Sequence, residues 1–412
     1  MSVIRKIPLL GWIGIAILLG ILTGPIMPEW LGNTFLTYNS IFSGFLGFAV
    51  PLIILGLIMP AIAELGAGAG KWLGITAAIA YGCTIIAGFV ALLVSLWVFT
   101  PALSGAGISA LANGEGSGLA PYFTLVSSPG GSATEIVLPP LFDVMTALVI
   151  AFVMGIGLTT IRNSIVVSAA IEFRTIVELL IRNVIVPALP LFIFGIFMDL
   201  SRSGEAIRVI STFLIVVLVS FGLTLLVLLA QFTTAGVIAG KNPLKALWNM
   251  REAYVTALGT SSSAATIPIT LRSTLKNGVS APIAGFVVPL CATIHLSGSM
   301  VKIICFATAV MLLGGEAVSF GAMIPFILML GVMMVAAPGV PGGAIAAASG
   351  LLVSMLGFGD VEIGLMFAMY IALDSFGTAT NVTGDGAIAI IIDKLSKGKL
   401  TGSAEVVEEA LA

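Results

Sequence analysis

Charge is what this chain has least of. Asp, Glu, Lys and Arg make up 9% of its 412 residues, against about a quarter in a soluble domain. So few charges exclude an ordinary water-soluble fold. There is no basic excess either: the net charge of -2 argues against a nucleic-acid partner. Histidine occurs once, at His295, and cysteine three times, at Cys83, Cys291 and Cys305. All three cysteines lie in apolar segments, so they read as small core residues rather than a disulfide frame or a metal site. The alternation of apolar and polar residues that a membrane β-barrel needs is also missing. What is abundant is apolar sequence, 59% of the chain, in runs of about twenty residues or more. The chain reads as an all-α, polytopic membrane protein.

Eight runs read as full spans, near 8–27, 40–64, 72–100, 137–161, 175–199, 207–237, 281–313 and 361–393. Arg5 and Lys6 precede the first, but the run from Leu9 to Ile26 is long and lacks a clear cleavage site. It reads as a membrane helix, with a removed signal peptide as the alternative. Segments 243–278 and 319–357 are too long for one crossing and are interrupted mid-way. The first is broken by Thr260-Ser261-Ser262-Ser263 and Pro268, the second by Pro338-Gly339-Val340-Pro341-Gly342-Gly343. Each reads as a re-entrant hairpin. With both termini cytoplasmic, most of the 17 basic residues fall inside, Arg272 and Lys276 among them, and segment 101–136, which has none, falls outside. The order is hairpin, helix, hairpin, helix, with the two hairpins entering from opposite sides. That pattern indicates an inverted repeat, and paired interruptions of this kind point to a transporter's binding site.

The chemistry concentrates near the C-terminus. Asp374, Thr378, Asn381 and Asp385 are spaced by three and four, so a helix puts them on one face. A carboxylate at bilayer depth costs several kcal/mol unless paired or hydrated. The stripe can serve a solute and an ion: Asp374 facing an ammonium group, Asn381 a carboxylate, and Asp385 a sodium ion. A static polar network between helices is the plainer alternative. Ser261, Ser262 and Ser263 at the first interruption, and Gly339, Val340, Pro341 and Gly342 at the second, offer free backbone groups at helix ends, where an anion is favoured. Close packing of small residues explains them equally well. His295 can carry a proton or be a neutral core residue. Lys302, seven residues on, needs an acid, and Asp374 and Asp385 are the candidates.

These residues resemble the dicarboxylate/amino acid:cation symporter family over nearly the whole chain. The serine-rich first tip, the Gly-Val-Pro-Gly of the second, and Asn381-Val382-Thr383-Gly384-Asp385 carry the resemblance. It implies a homotrimer in the cell membrane, working as an elevator coupled to sodium or protons, with no other cofactor. Residues 1–238 would be mainly scaffold and trimerisation helices, with the third and sixth spans belonging to the transport domain. Residues 239–398 would form the transport core, and 399–412 a cytoplasmic tail. By the same resemblance, Asp374 binds the substrate ammonium, Asn381 the α-carboxylate, Thr378 lines the site and Ser299 lies near the side-chain pocket. Asp385, with Asn381, His295, Ser297, Tyr81 and Thr84, is the sodium set. Family members for acidic substrates have an arginine where this chain has Gly377. Its loss favours a small neutral amino acid, in the pattern of the serine/threonine sodium symporters, over a dicarboxylate or acidic amino acid. Ser297 stands where the family has an aspartate, which weakens one sodium site and leaves proton coupling as the alternative.

Other classes fit less well. An intramembrane serine hydrolase would need Ser299 and His295 to act together, but they lie four apart with no oxyanion site nearby. Gly66-Ala67-Gly68-Ala69-Gly70-Lys71-Trp72 lacks the spacing and hydroxyl of a phosphate-binding loop. A channel remains possible for carboxylates that line a pore.

Overall fold

A computed structural model describes residues 9–66, 71–103, 118–126, 134–161, 165–337 and 341–396. Among the described residues the first five α-helices are α1 (Leu9–Thr23), α2 (Glu29–Gly66), α3 (Lys71–Leu103), α4 (Val144–Thr160) and α5 (Ile165–Leu180). A five-residue π turn, Ile181–Ile185, leads into α6 (Val186–Arg202). The π turn runs directly into Pro187, which has no N–H to return to the preceding turn, and Pro190 leaves a second gap inside α6. Then follows α7 (Ala206–Ala239), which stops at left-handed Gly240. Between α3 and α4, strands β1 (Thr124–Val126) and β2 (Glu135–Val137) pair in parallel.

Both interrupted segments fold back on themselves. The first is α8 (Pro243–Asn249), α9 (Arg251–Thr260) and α10 (Ser263–Lys276). Its turn is made by Ser261, at φ 50, and Ser262, whose hydroxyl accepts from the Ala265 N–H. At its base, Lys276 reaches Glu252 at 2.7 Å and Asn249 donates to Asn277 at 2.8 Å. The second hairpin is α13 (Phe320–Ala336) and α14 (Gly343–Leu356), with Gly342 in the left-handed region at φ 74.

Two predicted spans are broken. The run 281–313 is α11 (Ala281–Ile294) and α12 (Ser297–Leu313), parted at His295 and Leu296. The run 361–393 is α15 (Asp360–Ala372) and α16 (Asp374–Ser396), bent by 60° at Leu373. By length and composition, six helical runs among the described residues can each cross a membrane, or seven if the bent pair counts as one. The predicted fourth span is shorter, because 135–137 joins the sheet and Asp143 caps a helix of only 17 residues. The second begins at Glu29, well before 40, and the fifth extends over Ile165–Arg202.

Helix packing sorts the chain into two groups. In one, α1 lies on α6, and α2 on α4, α5 and α6. In the other, α16 is ringed by α7, α9, α10, α11 and α12, while α3 lies along α12. Where α14 meets α2 and α15 meets α6, glycines permit the approach: a methyl group on Gly350 would overlap Val50, and one on Gly364 would overlap Ile196. Helix α12 is buried along nearly its whole length, although it carries a lysine.

Candidate functional site

The bend at Leu373 creates two helix ends inside the core. The C-terminus of α15 presents free carbonyls, and the N-terminus of α16 presents free N–H groups. Lys302 binds the junction itself: its ammonium lies 3.3 Å from the Leu373 carbonyl, which also accepts the Phe376 and Gly377 N–H groups, and 3.5 Å from that of Asp374. It also stands 3.9 Å from the centre of the Tyr370 ring, within cation–π range. Asp374 sits in the first turn of α16, where the helix dipole favours an anion. One of its carboxylate oxygens is 3.3 Å from the Lys302 ammonium. The other accepts the Gly342 N–H at 2.8 Å.

Both hairpin turns therefore end at the bend. Gly342 of the second binds Asp374, and Ser261 of the first shares a 2.7 Å hydroxyl contact with Ser375. Ser263 is buried at the start of α10. Helices α10, α14 and α16 begin at or next to these contacts, and α12 begins two turns along α16, where Gly298 meets Asn381; helix N-termini favour an anion. Pro341 is exposed beside the second turn. Gly339 and Val340 lie outside the described residues.

The rest of the stripe is tied to the break in the preceding span. The Asn381 side-chain oxygen accepts the Gly298 N–H at 2.8 Å, and its amide donates to the Ser299 hydroxyl at 3.3 Å. Tyr370 donates to the same hydroxyl at 3.0 Å. Thr378 returns its hydroxyl to the Asp374 carbonyl. Gly377 faces Lys302 so closely that a methyl group there would overlap the lysine Cε and Nζ.

Three turns further along, Asp385 is wholly buried. His295 Nδ1 is 2.9 Å from one of its oxygens. The Gln231 amide lies 3.2 Å from both His295 Nε2 and the Ser297 hydroxyl. With that amide donating to Nε2, the imidazole keeps its proton on Nδ1 and gives it to Asp385. The second Asp385 oxygen, the Gln231 oxygen and the Thr383 hydroxyl have no hydrogen-bond partner among the described residues. The Asp385 and Gln231 oxygens, both beside His295, suit a hard cation, whereas Thr383, two residues from Asp385 on the helix, faces another way. Of the other residues in the expected sodium set, Tyr81 donates to the Leu328 carbonyl, away from this cluster, and Thr84 returns its hydroxyl to Ala80 in its own helix.

The profile of the sodium:dicarboxylate symporter family matches residues 9–395. The chain belongs to that family. Among curated relatives, an excitatory amino acid transporter of Caenorhabditis elegans is 27% identical over 61% of this chain and 51% of its own length. Excitatory amino acid transporter 3 of Mus musculus is 33% identical over 40% of this chain and 31% of its own. Excitatory amino acid transporter 2 of Homo sapiens is 31% identical over 40% and 29%. The chain thus spans about half or less of the curated relatives it matches.

Within this symporter-family chain, sequence reasoning missed Gln231 and Tyr370. Gln231 had a signal, being a lone amide in the apolar run Leu225 to Phe232. Tyr370 lies one turn before Asp374, but in the next helix back, and only the bend turns its ring toward Lys302. Ser299 and His295, the pair a hydrolase would need, go to different partners: Ser299 to Tyr370 and Asn381, His295 to Asp385 and Gln231.

Proposed function

We propose that this protein is a multi-pass secondary active symporter of the cell membrane that moves a small carboxylate-bearing solute together with sodium. One observation carries the reading: the turns of two hairpins close on consecutive residues, Asp374 and Ser375, at a bend lined with polar groups. Opening the second hairpin breaks the Gly342–Asp374 bond, and opening the first breaks the Ser261–Ser375 contact. Each opening exposes the same bend from a different side, which is what alternating access requires. The division into two helix groups, packed closely at Gly350 and Gly364, supports an elevator in which α3 and α7–α16 move against the remainder. A homotrimer with both termini in the cytoplasm accords with that scheme. The unpartnered Asp385 oxygen supports sodium as the coupled ion.

A small neutral amino acid was the expected cargo because no cation stands at position 377. The Lys302 ammonium fills that position from another helix, so Gly377 no longer separates neutral from acidic cargo. The test is uptake of labelled serine, alanine, aspartate and succinate by proteoliposomes, with sodium and pH gradients imposed separately. Saturable accumulation of one solute, driven by sodium, is expected. A linear, gradient-independent flux, as through a channel, would overturn the proposal.

A further inference from the structure

The base of the first hairpin holds a cavity that the bend does not use. It has a volume of about 530 Å³ and lies where α7, α8 and α9 meet. Its walls are Leu225 and Leu229 of α7, Leu244 and Leu247 of α8, and Val255 of α9. Trp248 and Arg251, both exposed, line it too, and Thr383 of α16 reaches it. We propose that this cavity binds an anionic phospholipid, with an acyl chain against the leucines and the phosphate on Arg251. The site goes beyond the transport reading and does not depend on it.

Charge is the first support. Arg251 forms no ion pair among the described residues. Its guanidinium lies 5.0 Å from the centre of the Trp248 ring and donates to the Trp248 carbonyl at 3.4 Å. Glu252, next in sequence, is taken by Lys276 at 2.7 Å. Lys245 of α8 is exposed as well. A guanidinium in this state presents a planar fork of donors that matches a phosphate. On the orientation that the basic residues imply, this end faces the cytoplasm, where the leaflet surface carries anionic headgroups.

The apolar walls are the second. Leu244, Trp248 and Val255 are 66%, 65% and 65% exposed. Steps of four, three and four run through Leu244, Trp248, Arg251 and Val255, and Met250, between the two helices, keeps helical dihedrals at φ -86 and ψ 0. One stripe therefore carries the arginine together with the apolar groups. Tryptophan is enriched where a bilayer meets water. A free phosphate would satisfy Arg251 and leave the leucines unmet, and a plain hydrocarbon would do the reverse.

The third is Thr383. Thr378 and Thr380 each return their hydroxyl to the carbonyl one turn back. Thr383 is 1% exposed, and its hydroxyl has no partner among the described residues. An ester carbonyl of a glycerolipid supplies the missing acceptor. A free fatty acid does not, because its one polar end goes to Arg251. A phospholipid so placed braces α9, one arm of the first hairpin, against α7.

Native mass spectrometry of the purified full chain in detergent is the experiment, with phosphatidylglycerol, phosphatidylcholine and oleate titrated in turn. Phosphatidylglycerol should bind about fivefold tighter than phosphatidylcholine, the pull of one basic side chain on an anionic headgroup. Arg251→Gln should erase that preference. Leu229→Trp fills the cavity without altering charge, and should weaken phosphatidylglycerol about tenfold, the worth of about two buried methylenes. Thr383→Val should cost about fivefold, one net hydrogen bond. Arg251 and Leu229 are exposed, so both variants should fold. Equal binding of the two phospholipids, or an Arg251→Gln chain that keeps the preference, would overturn the proposal. So would oleate displacing phosphatidylglycerol at equal concentration. Binding is read without uptake, so failure of this site and failure of the transport reading are separate results.

Discussion

Asp374 and Asp385 share one face of one helix, about 16 Å apart along its axis, yet their surroundings are opposites. Asp374 lies at the bend, with both hairpin turns on it or beside it, and its cationic partner is held at 3.3 Å. Asp385 lies in continuous helix, is completely buried, and bonds an imidazole at 2.9 Å that is itself fixed by Gln231. The first is reached by the hairpin turns, and the second is enclosed with one carboxylate oxygen left over. Under the proposed function, two acids that look equivalent in sequence would have separate work because of what packs on them: cargo at the bend, ion in the helix.

Exchanging each acid for its amide tests that division. Asp374→Asn should have the largest effect. It leaves the Lys302 ammonium buried without an anion, a loss of about 3–5 kcal/mol of stability, and uptake should vanish. Adding Lys302→Met to the same chain should return most of the thermal stability and none of the uptake. If the double variant transports normally, the bend is not the cargo site.

Asp385→Asn should behave differently. The amide oxygen can still accept from His295, so stability should fall by only about 1 kcal/mol. The lost charge should instead raise the sodium concentration needed for half-maximal uptake at least tenfold, with cargo affinity at saturating sodium little changed. A purely cargo-side defect in this variant would merge the two ends into one site.

How much of this was legible in the sequence follows from where the forces act. The polar stripe could be read because helical spacing alone aligns 374, 378, 381 and 385. The hairpins could be read because a serine run and a Pro-Gly run interrupt apolar segments. The breaks at His295–Leu296 and at Leu373 could not, since neither carries a glycine or proline of its own. They are held from outside: Asn381 takes the Gly298 N–H just after the first break, and Lys302 takes the Leu373 carbonyl at the second. The pairing of Lys302 with Asp374, and of His295 with Asp385, depends on those breaks. Seven-residue spacing had put the lysine and the histidine on one face of one helix, with either acid open to either base.

The smallest effect expected is at Gly377, and it sharpens the account of the bend. A methyl group there would overlap the end of the Lys302 side chain. That end is flexible, so the lysine can swing aside instead of forcing the backbone apart, and Gly377→Ala should cost about 1 kcal/mol, the low end of overpacking. Swinging aside also takes the ammonium off Asp374, so under the proposed function cargo affinity should fall along with stability. In a Lys302→Ala background there is nothing to displace, and the same change should cost nothing. A double-mutant cycle measured by thermal unfolding gives the coupling directly. Equal costs in both backgrounds would mean that Gly377 serves backbone packing, and that the ammonium does not occupy the space a side chain at 377 would fill.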